Sequence, residues 1–190
     1  MVGFGFQEVL SYVLTNPEAQ VERMGLDRAS SPLIEVANPV SSEYSALRRW
    51  LIPCLLQFLS YNAHAPYPHK VFECGDVVLP NESMPNRAEQ RLKLAAAISD
   101  YKVGYEDIQA VAYGFLRGMG LREWEVRPLG HPSFIRGRAA SILIRGEEAA
   151  ILGELRPDVL LKFGITSPVA AFEADLAMVS KAAGVRRIGI

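Results

Sequence analysis

The chain is poor in the residues that build disulfide frameworks and metal centres. Its 190 residues include only two cysteines, Cys54 and Cys74, and three histidines. Neither cysteine has a Cys-x-x-Cys partner and both stand in apolar surroundings, so we expect buried, reduced thiols rather than a disulfide or a nucleophile. His64 and His69 lie on a proline-rich stretch with no neighbouring cysteine, which is typical of surface histidines. The sequence therefore predicts no bound metal ion.

The chain also lacks an excess of charge of one sign and a long hydrophobic run. Its 20 basic and 21 acidic residues give a formal net charge of −1, so no overall positive field would attract nucleic acid. The apolar run at residues 51–56 is far shorter than the roughly 20 residues that cross a bilayer. The N-terminus has no basic region leading into an apolar signal. We expect a cytoplasmic protein without membrane contacts.

What the chain does have is the composition of an ordinary folded domain. Hydrophobic residues make up 49% of it and charged residues 22%, which is typical of globular proteins. A domain of about 150 residues already buries roughly 70% of its unfolded surface when it folds. We expect a single domain over residues 1–190.

Helices are predicted where apolar side chains recur every three or four residues. The best pattern covers residues 108–119 and is followed by Gly120. A second stripe, at residues 47, 51, 55 and 59, predicts a helix that begins at Ser41 or Ser42 and kinks or restarts at Pro53. Shorter helices are predicted at residues 17–24 and 157–163 and from Leu176 onward.

Strands are predicted where apolar, β-branched and aromatic residues alternate between turn signals. The predicted strands are residues 7–15, 33–36, 70–79, 91–99, 124–127, 141–144, 149–155 and 169–175. A long polar loop joins the strands at 70–79 and 91–99. Clustered strands with helices between and after them favour an α+β fold, a mainly antiparallel sheet flanked by helices.

Four phrases in a fixed order carry further information. They are NPVSSEYSALR at residues 38–48, VFECGD at 71–76, HPSFI at 131–135 followed by Arg138, and GELRP at 153–157 followed by FEADL at 172–176. In these phrases the chain resembles the C-terminal, catalytic-like domain of the phenylalanyl-tRNA synthetase β subunit of archaeal or eukaryotic type. The resemblance covers nearly the whole chain and implies a class II aminoacyl-tRNA synthetase-like sheet. It also implies that residues 1–6 end a long helix, so that the domain is truncated at its N-terminus.

The resemblance bears on catalysis through two arginines. In the family's catalytic α subunit, one arginine ends a strand and another begins a helix, and both stabilise negative charge that develops on ATP. On this sequence the first falls on Leu79, or on Val78 or Pro80 if the alignment shifts by one residue. The second falls on Asp175, whose carboxylate repels phosphate. We therefore expect an inactive domain with no catalytic residue and no cofactor of its own.

The resemblance also implies partners. The family's β subunit joins the α subunit in an (αβ)₂ heterotetramer, a phenylalanine–tRNA ligase that charges tRNA(Phe) with phenylalanine. ATP and Mg²⁺ are therefore expected in the holoenzyme, while this domain serves structure and assembly. Arg48 and Arg49 are the residues predicted to bind the partner subunit or RNA, although a solvated helix face also explains two adjacent charges.

Two alternatives of other classes stay open. One is an active small-molecule enzyme on the same fold, and the other is a regulatory module that binds a ligand without turnover. His131 could serve as a base, but no nucleophile stands beside it, which favours a structural role in the loop before a hairpin. Glu73, Glu154 and Glu173 lie on different predicted strands, and the sequence does not show them converging.

Overall fold

A mainly antiparallel sheet organises the molecule, which a computed structural model describes for residues 1–184. The strands are β1 Gln7–Glu8, β2 Leu14–Thr15, β3 Ala46–Leu47, β4 His69–Pro80, β5 Ala88–Ser99, β6 Glu125–Pro128, β7 Phe134–Ile144, β8 Glu147–Leu155 and β9 Val169–Asp175. Seven of them form one sheet in the order β1-β4-β5-β9-β8-β7-β6. Neighbours in this sheet are antiparallel except β1 and β4, which run parallel. Strands β2 and β3 pair separately as a small antiparallel sheet.

Helices cover both faces of the large sheet. They are α1 Ile52–Tyr61, α2 Tyr105–Gly118, α3 Pro157–Lys162 and α4 Leu176–Ala182. On one face, Leu55 of α1 and Val159 of α3 pack with Ala95 of the sheet. On the other, Ile108 of α2 packs with Phe172 of β9. We call these the α1 face and the α2 face, and this arrangement confirms the predicted α+β fold.

Helix α2 forms where the apolar pattern predicts it. Ile108 and Phe115 lie on its buried side, and the Asp107 carboxylate accepts a hydrogen bond from the backbone amide of Gly104 at 2.9 Å. Gly120 follows the helix with φ +91°. This left-handed conformation commonly ends helices, and glycine adopts it more easily than other residues. Among residues 1–184, no helix is long and apolar enough to cross a bilayer.

The long helix predicted from Ser41 or Ser42 is wrong in its first half. The structure has a 3₁₀ turn at Ser42–Tyr44, then strand β3, and α1 begins only at Ile52. Leu47 pairs with Leu14 of β2 instead of lying on a helix, because tertiary pairing outweighs a local apolar repeat. Pro53 stands in the first turn of α1, which is the restart that the sequence allowed.

Four other elements differ from the predictions. The strand predicted at residues 7–15 pairs only at its two ends, as β1 and β2, because the chain crosses there from the large sheet to the small one. Residues 33–36 make a single bridge, between Glu35 and Ala46. The predicted helix at 17–24 is a π-helical turn, Glu18–Glu22. Strand β7 begins at Phe134, seven residues before its predicted start.

The close approach of β7 and β8 predicts a strong effect of Gly153→Ala. An added Cβ would lie 2.7 Å from both the Cβ of Ala139 and the carbonyl oxygen of Arg138, so we expect a loss of about 1–3 kcal/mol in the free energy of unfolding. Gly118→Ala is the control, because Gly118 ends α2 with open space around it. Urea denaturation of both variants checks this, and equal stabilities would contradict the packing described.

Candidate functional site

Charged side chains from three strands converge on the α1 face. One row across β4, β5 and β9 consists of Glu73, Ala95 and Glu173, and the next of Gly75, Lys93 and Asp175. Directly paired residues point to the same face of a sheet. Acidic and basic groups therefore alternate across the centre of this surface.

The Arg48 guanidinium is bound inside the protein by the Glu73 carboxylate. Its Nη1 lies 2.5 Å from Oε1 of Glu73, and the two side chains are 3% and 1% exposed. The same Nη1 donates to the Ser11 hydroxyl at 2.9 Å, and Nε donates to the Asp76 carbonyl oxygen at 2.7 Å. A Cβ at Gly75 would come within 2.2 Å of Nη2, so only glycine leaves room for this guanidinium.

Glu173 joins the sheet to the start of α1. Its Oε1 accepts from Nζ of Lys93 at 2.7 Å. Its Oε2 accepts from the backbone amides of Leu51 at 2.7 Å and Ile52 at 3.1 Å. A carboxylate is favourable there because the first amides of a helix have no partner within the helix. These contacts give Glu173 a structural role.

Asp175 caps the last described helix. Its Oδ1 accepts from the Met178 amide at 3.0 Å, and its Oδ2 lies 3.6 Å from Nη1 of Arg91 on β5. This position is the one where the resemblance placed an ATP-binding arginine. A carboxylate stands there instead, and the neighbouring Arg91 donates to Glu89 at 2.8 Å while it lies beside Asp175.

At the position predicted for the first arginine, residues 78–80 are apolar and offer no cation to phosphate. Leu79 lies on β4 opposite Glu89, and the Val78 amide donates to the Arg48 carbonyl oxygen at 2.9 Å. Glu154 lies away from the two rows, where it binds Arg138 at 2.7 Å and the Tyr105 amide at 2.8 Å.

Lys93 and Arg91 are two basic residues of the charged rows that the sequence did not identify as site residues. Both are basic residues of β5, and they alternate with Leu92 and Leu94. That alternation is the signal of a strand with one polar face, but it does not identify the acids opposite. The partners on β9 follow only from the strand order.

The two arginines predicted to contact a partner lie in different environments. Arg48 is 2% exposed and bound internally, so it offers no surface to another molecule in this fold. Arg49 is partly buried, and burial lowers the pKa of its guanidinium while the Glu173 carboxylate opposes that shift. Its Nη1 is buried without a hydrogen-bond partner among residues 1–184. Partner binding stays a prediction, and Arg49 alone has the exposure for it.

The contacts of His131 indicate a structural role. Its ring lies 5.6 Å from Trp50 and 5.4 Å from Phe134, and its Nδ1 accepts from the Ser133 amide at 3.2 Å. Burial lowers the pKa of the imidazole. The ring therefore fixes the chain just before β7.

His69 and the two cysteines show no arrangement typical of catalysis or metal binding. His69 stacks on Tyr67 at 4.5 Å and bonds the Ala65 carbonyl oxygen. Cys54 is buried, which raises the pKa of its thiol, and both cysteines are free. Within the described part of the chain, no group of three or more His, Cys, Asp or Glu side chains has an arrangement that could hold a metal ion.

Comparisons with known proteins assign the sequence to one family. The family model described as the phenylalanyl tRNA synthetase beta chain CLM domain matches residues 1–176. The phenylalanine–tRNA ligase β subunit of Thermococcus onnurineus is 42% identical over 187 residues, which is 93% of this chain and 32% of that one. The chain belongs to the phenylalanine–tRNA ligase β-subunit family. The β subunit of Korarchaeum cryptofilum is 44% identical over 181 residues, which is 95% of this chain and 32% of that one. The chain therefore spans about a third of the length of these relatives.

A solved synthetase shares the fold of this β-subunit domain. The pyrrolysyl-tRNA synthetase of Desulfitobacterium hafniense superposes with a TM-score of 0.75 at 16% identity, over 94% of this chain and 63% of that one. At that identity the similarity concerns the fold alone. It confirms the class II synthetase-like sheet that the resemblance implied.

The buried ion pair of this β-subunit domain predicts a large effect of Glu73→Gln. The substitution leaves the Arg48 charge buried without its partner, so we expect a loss of about 3–5 kcal/mol in the free energy of unfolding. Glu82→Gln is the matched control, because Glu82 forms an exposed pair with Arg87 and its loss should change stability by less than about 1 kcal/mol. Similar losses in both variants, measured by urea denaturation, would contradict this account.

For Arg49→Met we expect the opposite effect, a gain in stability, because Nη1 of Arg49 is buried without a hydrogen-bond acceptor in the described part of the chain. Removing a buried donor that has no acceptor should raise the free energy of unfolding by about 1 kcal/mol. Arg127→Met is the control, since Arg127 is exposed and paired with Glu125 on β6, where changes stay within about 0.5 kcal/mol. Chemical denaturation compares the two, and a clear loss of stability in Arg49→Met would show that the guanidinium has a partner.

Proposed function

We propose that this chain is a non-catalytic structural and assembly domain of a phenylalanine–tRNA ligase β subunit. In this role it supports the ATP-dependent charging of tRNA(Phe) with phenylalanine by the catalytic α subunit. Its direct partner is that α subunit, in an (αβ)₂ heterotetramer of the cytoplasm, and tRNA(Phe) is reached through the holoenzyme. ATP and Mg²⁺ belong to the site of the α subunit.

The observation that carries this proposal is the internal pairing of charge on the α1 face. Arg48 is bound to Glu73, Lys93 to Glu173, and Arg91 lies beside Asp175. A triphosphate would have to draw these cations away from carboxylates of the same protein. Phosphoryl and adenylyl chemistry requires cations that are free to meet developing negative charge, so this arrangement favours structure over catalysis.

The assembly role is supported by an apolar surface around the small sheet. Leu10 is 85% exposed and Tyr12 76%, and both lie on the segment between β1 and β2. The ring of Tyr12 makes an edge contact with Tyr44 at 5.9 Å. Leu14 of β2 is 41% exposed. Exposed apolar side chains that cluster on one element often mark protein interaction sites.

Calorimetric titration with ATP and Mg²⁺, with and without phenylalanine, tests the non-catalytic part of the proposal. We expect no saturable heat from the 190-residue chain, because Arg48, Lys93 and Arg91 already lie beside carboxylates of the same protein. An active αβ ligase under the same conditions is the positive control. Saturable binding at micromolar levels would contradict the proposal and favour the alternative of an active enzyme on this fold.

Leu10→Asp tests the assembly part of the proposal. A charge on the apolar surface should weaken association with the co-expressed α subunit by roughly tenfold or more, measured by quantitative co-purification, without lowering the melting temperature. Leu161→Asp is the matched control, since Leu161 is an exposed leucine, at 63%, that belongs to α3 and not to the small sheet. Equal effects of the two variants would exclude the small sheet as the contact surface.

A further inference from the structure

The guanidinium of Arg49 differs from that of its neighbour in the chain. Arg48 donates to Glu73, Ser11 and a backbone carbonyl oxygen. Arg49 Nη1, by contrast, is buried without any acceptor, and within residues 1–184 it is the one buried side-chain nitrogen or oxygen in that condition. Of the two adjacent arginines, one thus has its guanidinium hydrogen-bonded inside the protein, and the other has a buried N–H group without an acceptor among those residues.

The ionisable neighbours of Arg49 make their hydrogen bonds with other groups. The Glu173 carboxylate acts on Arg49 electrostatically, but its oxygens accept from Lys93 and from the first amides of α1. The charge of Arg49 also acts on His131, whose Nδ1 accepts from the Ser133 amide. Neither neighbour makes a hydrogen bond to the guanidinium.

A buried donor without an acceptor destabilises a fold, and such groups recur where a protein binds something else. Arginine presents a planar fork of N–H groups that matches the two oxygens of a carboxylate. The residue as a whole is partly exposed although its Nη1 is buried, so a movement of the side chain would bring the fork to the surface. The adjoining Trp50 is 6% exposed.

We propose that Arg49 forms a carboxylate-binding site on the α1 face. The ligand is a carboxylate, supplied either by a small organic acid or by an acidic side chain of a partner subunit. Its two oxygens accept from the guanidinium, which moves outward to meet them. This inference is independent of the ATP test and of the assembly surface at Leu10.

Fluorescence of Trp50 reports the site directly. The chain has two tryptophans, and Trp124→Phe leaves Trp50, the residue next to Arg49, as the only one. Acetate is the probe, with propionamide as the uncharged control and chloride as the control anion at constant ionic strength. We expect a saturable change with acetate alone.

Arginine variants on this background decide whether Arg49 causes the change. Arg49→Gln should weaken acetate binding at least tenfold, and Arg49→Lys, which keeps the charge but loses the fork, should give an intermediate value. Melting temperatures of both variants confirm that they fold. No saturable change, or an equal change in Arg49→Gln, overturns the proposal and leaves water as the partner of Nη1.

A second arm identifies the source of the carboxylate. The titration is repeated on the complex of this chain with the α subunit. If a partner side chain fills the site, acetate no longer binds to the complex and Arg49→Gln weakens the complex. If the ligand is a small acid, acetate binds to the complex as it does to the chain alone. Either result supports the site, whereas an acetate response of the complex that persists in Arg49→Gln overturns it.

Discussion

The buried contact between Arg48 and Glu73 holds the two sheets together. Glu73 belongs to β4 of the large sheet, and Arg48 directly follows β3 of the small one. The same carboxylate accepts from the amide and hydroxyl of Ser11, so it also fixes the segment between β1 and β2. Because both charges are almost fully buried, the pair tolerates loss of neither partner. The position of the small sheet, and of the apolar surface on it, depends on this contact.

Further pairs of opposite charge lie across the α1 face. Lys93 and Glu173 connect β5, β9 and the start of α1, and Arg91 lies beside the carboxylate that caps α4. Each of these cations thus has an internal carboxylate beside it. The charges of this face therefore help to specify how α1 and α4 attach to the sheet.

Much of the fold could be predicted from the sequence because its signals are local. The apolar stripe of α2, Gly120 and the alternating strands 70–79 and 169–175 place elements within a few residues of where they lie. The failures occurred where tertiary pairing decides. Leu47 fits a helical repeat but pairs with Leu14, and the segment at 7–15 alternates like one strand but divides between two sheets. No local pattern contains that information.

The candidate site was predictable only in part. The resemblance identified Asp175 as the residue in place of an arginine, and the apolar residue at 79 followed from the same alignment. Lys93 and Arg91 were missed because Glu173 and Asp175 lie about 80 residues away in sequence, on a strand whose neighbour is known only from the fold. The difference between Arg48 and Arg49 is likewise invisible in sequence, since two adjacent arginines give no sign of which one is buried in an ion pair.

Phenylalanine-dependent exchange of pyrophosphate into ATP measures amino-acid activation directly, and it tests the central claim that the paired charges of the α1 face are structural. The account predicts no exchange above background by the 190-residue chain, and exchange by its complex with the α subunit. Phenylalanine-dependent exchange by the chain alone would show that these cations are available to ATP, and it would contradict the account.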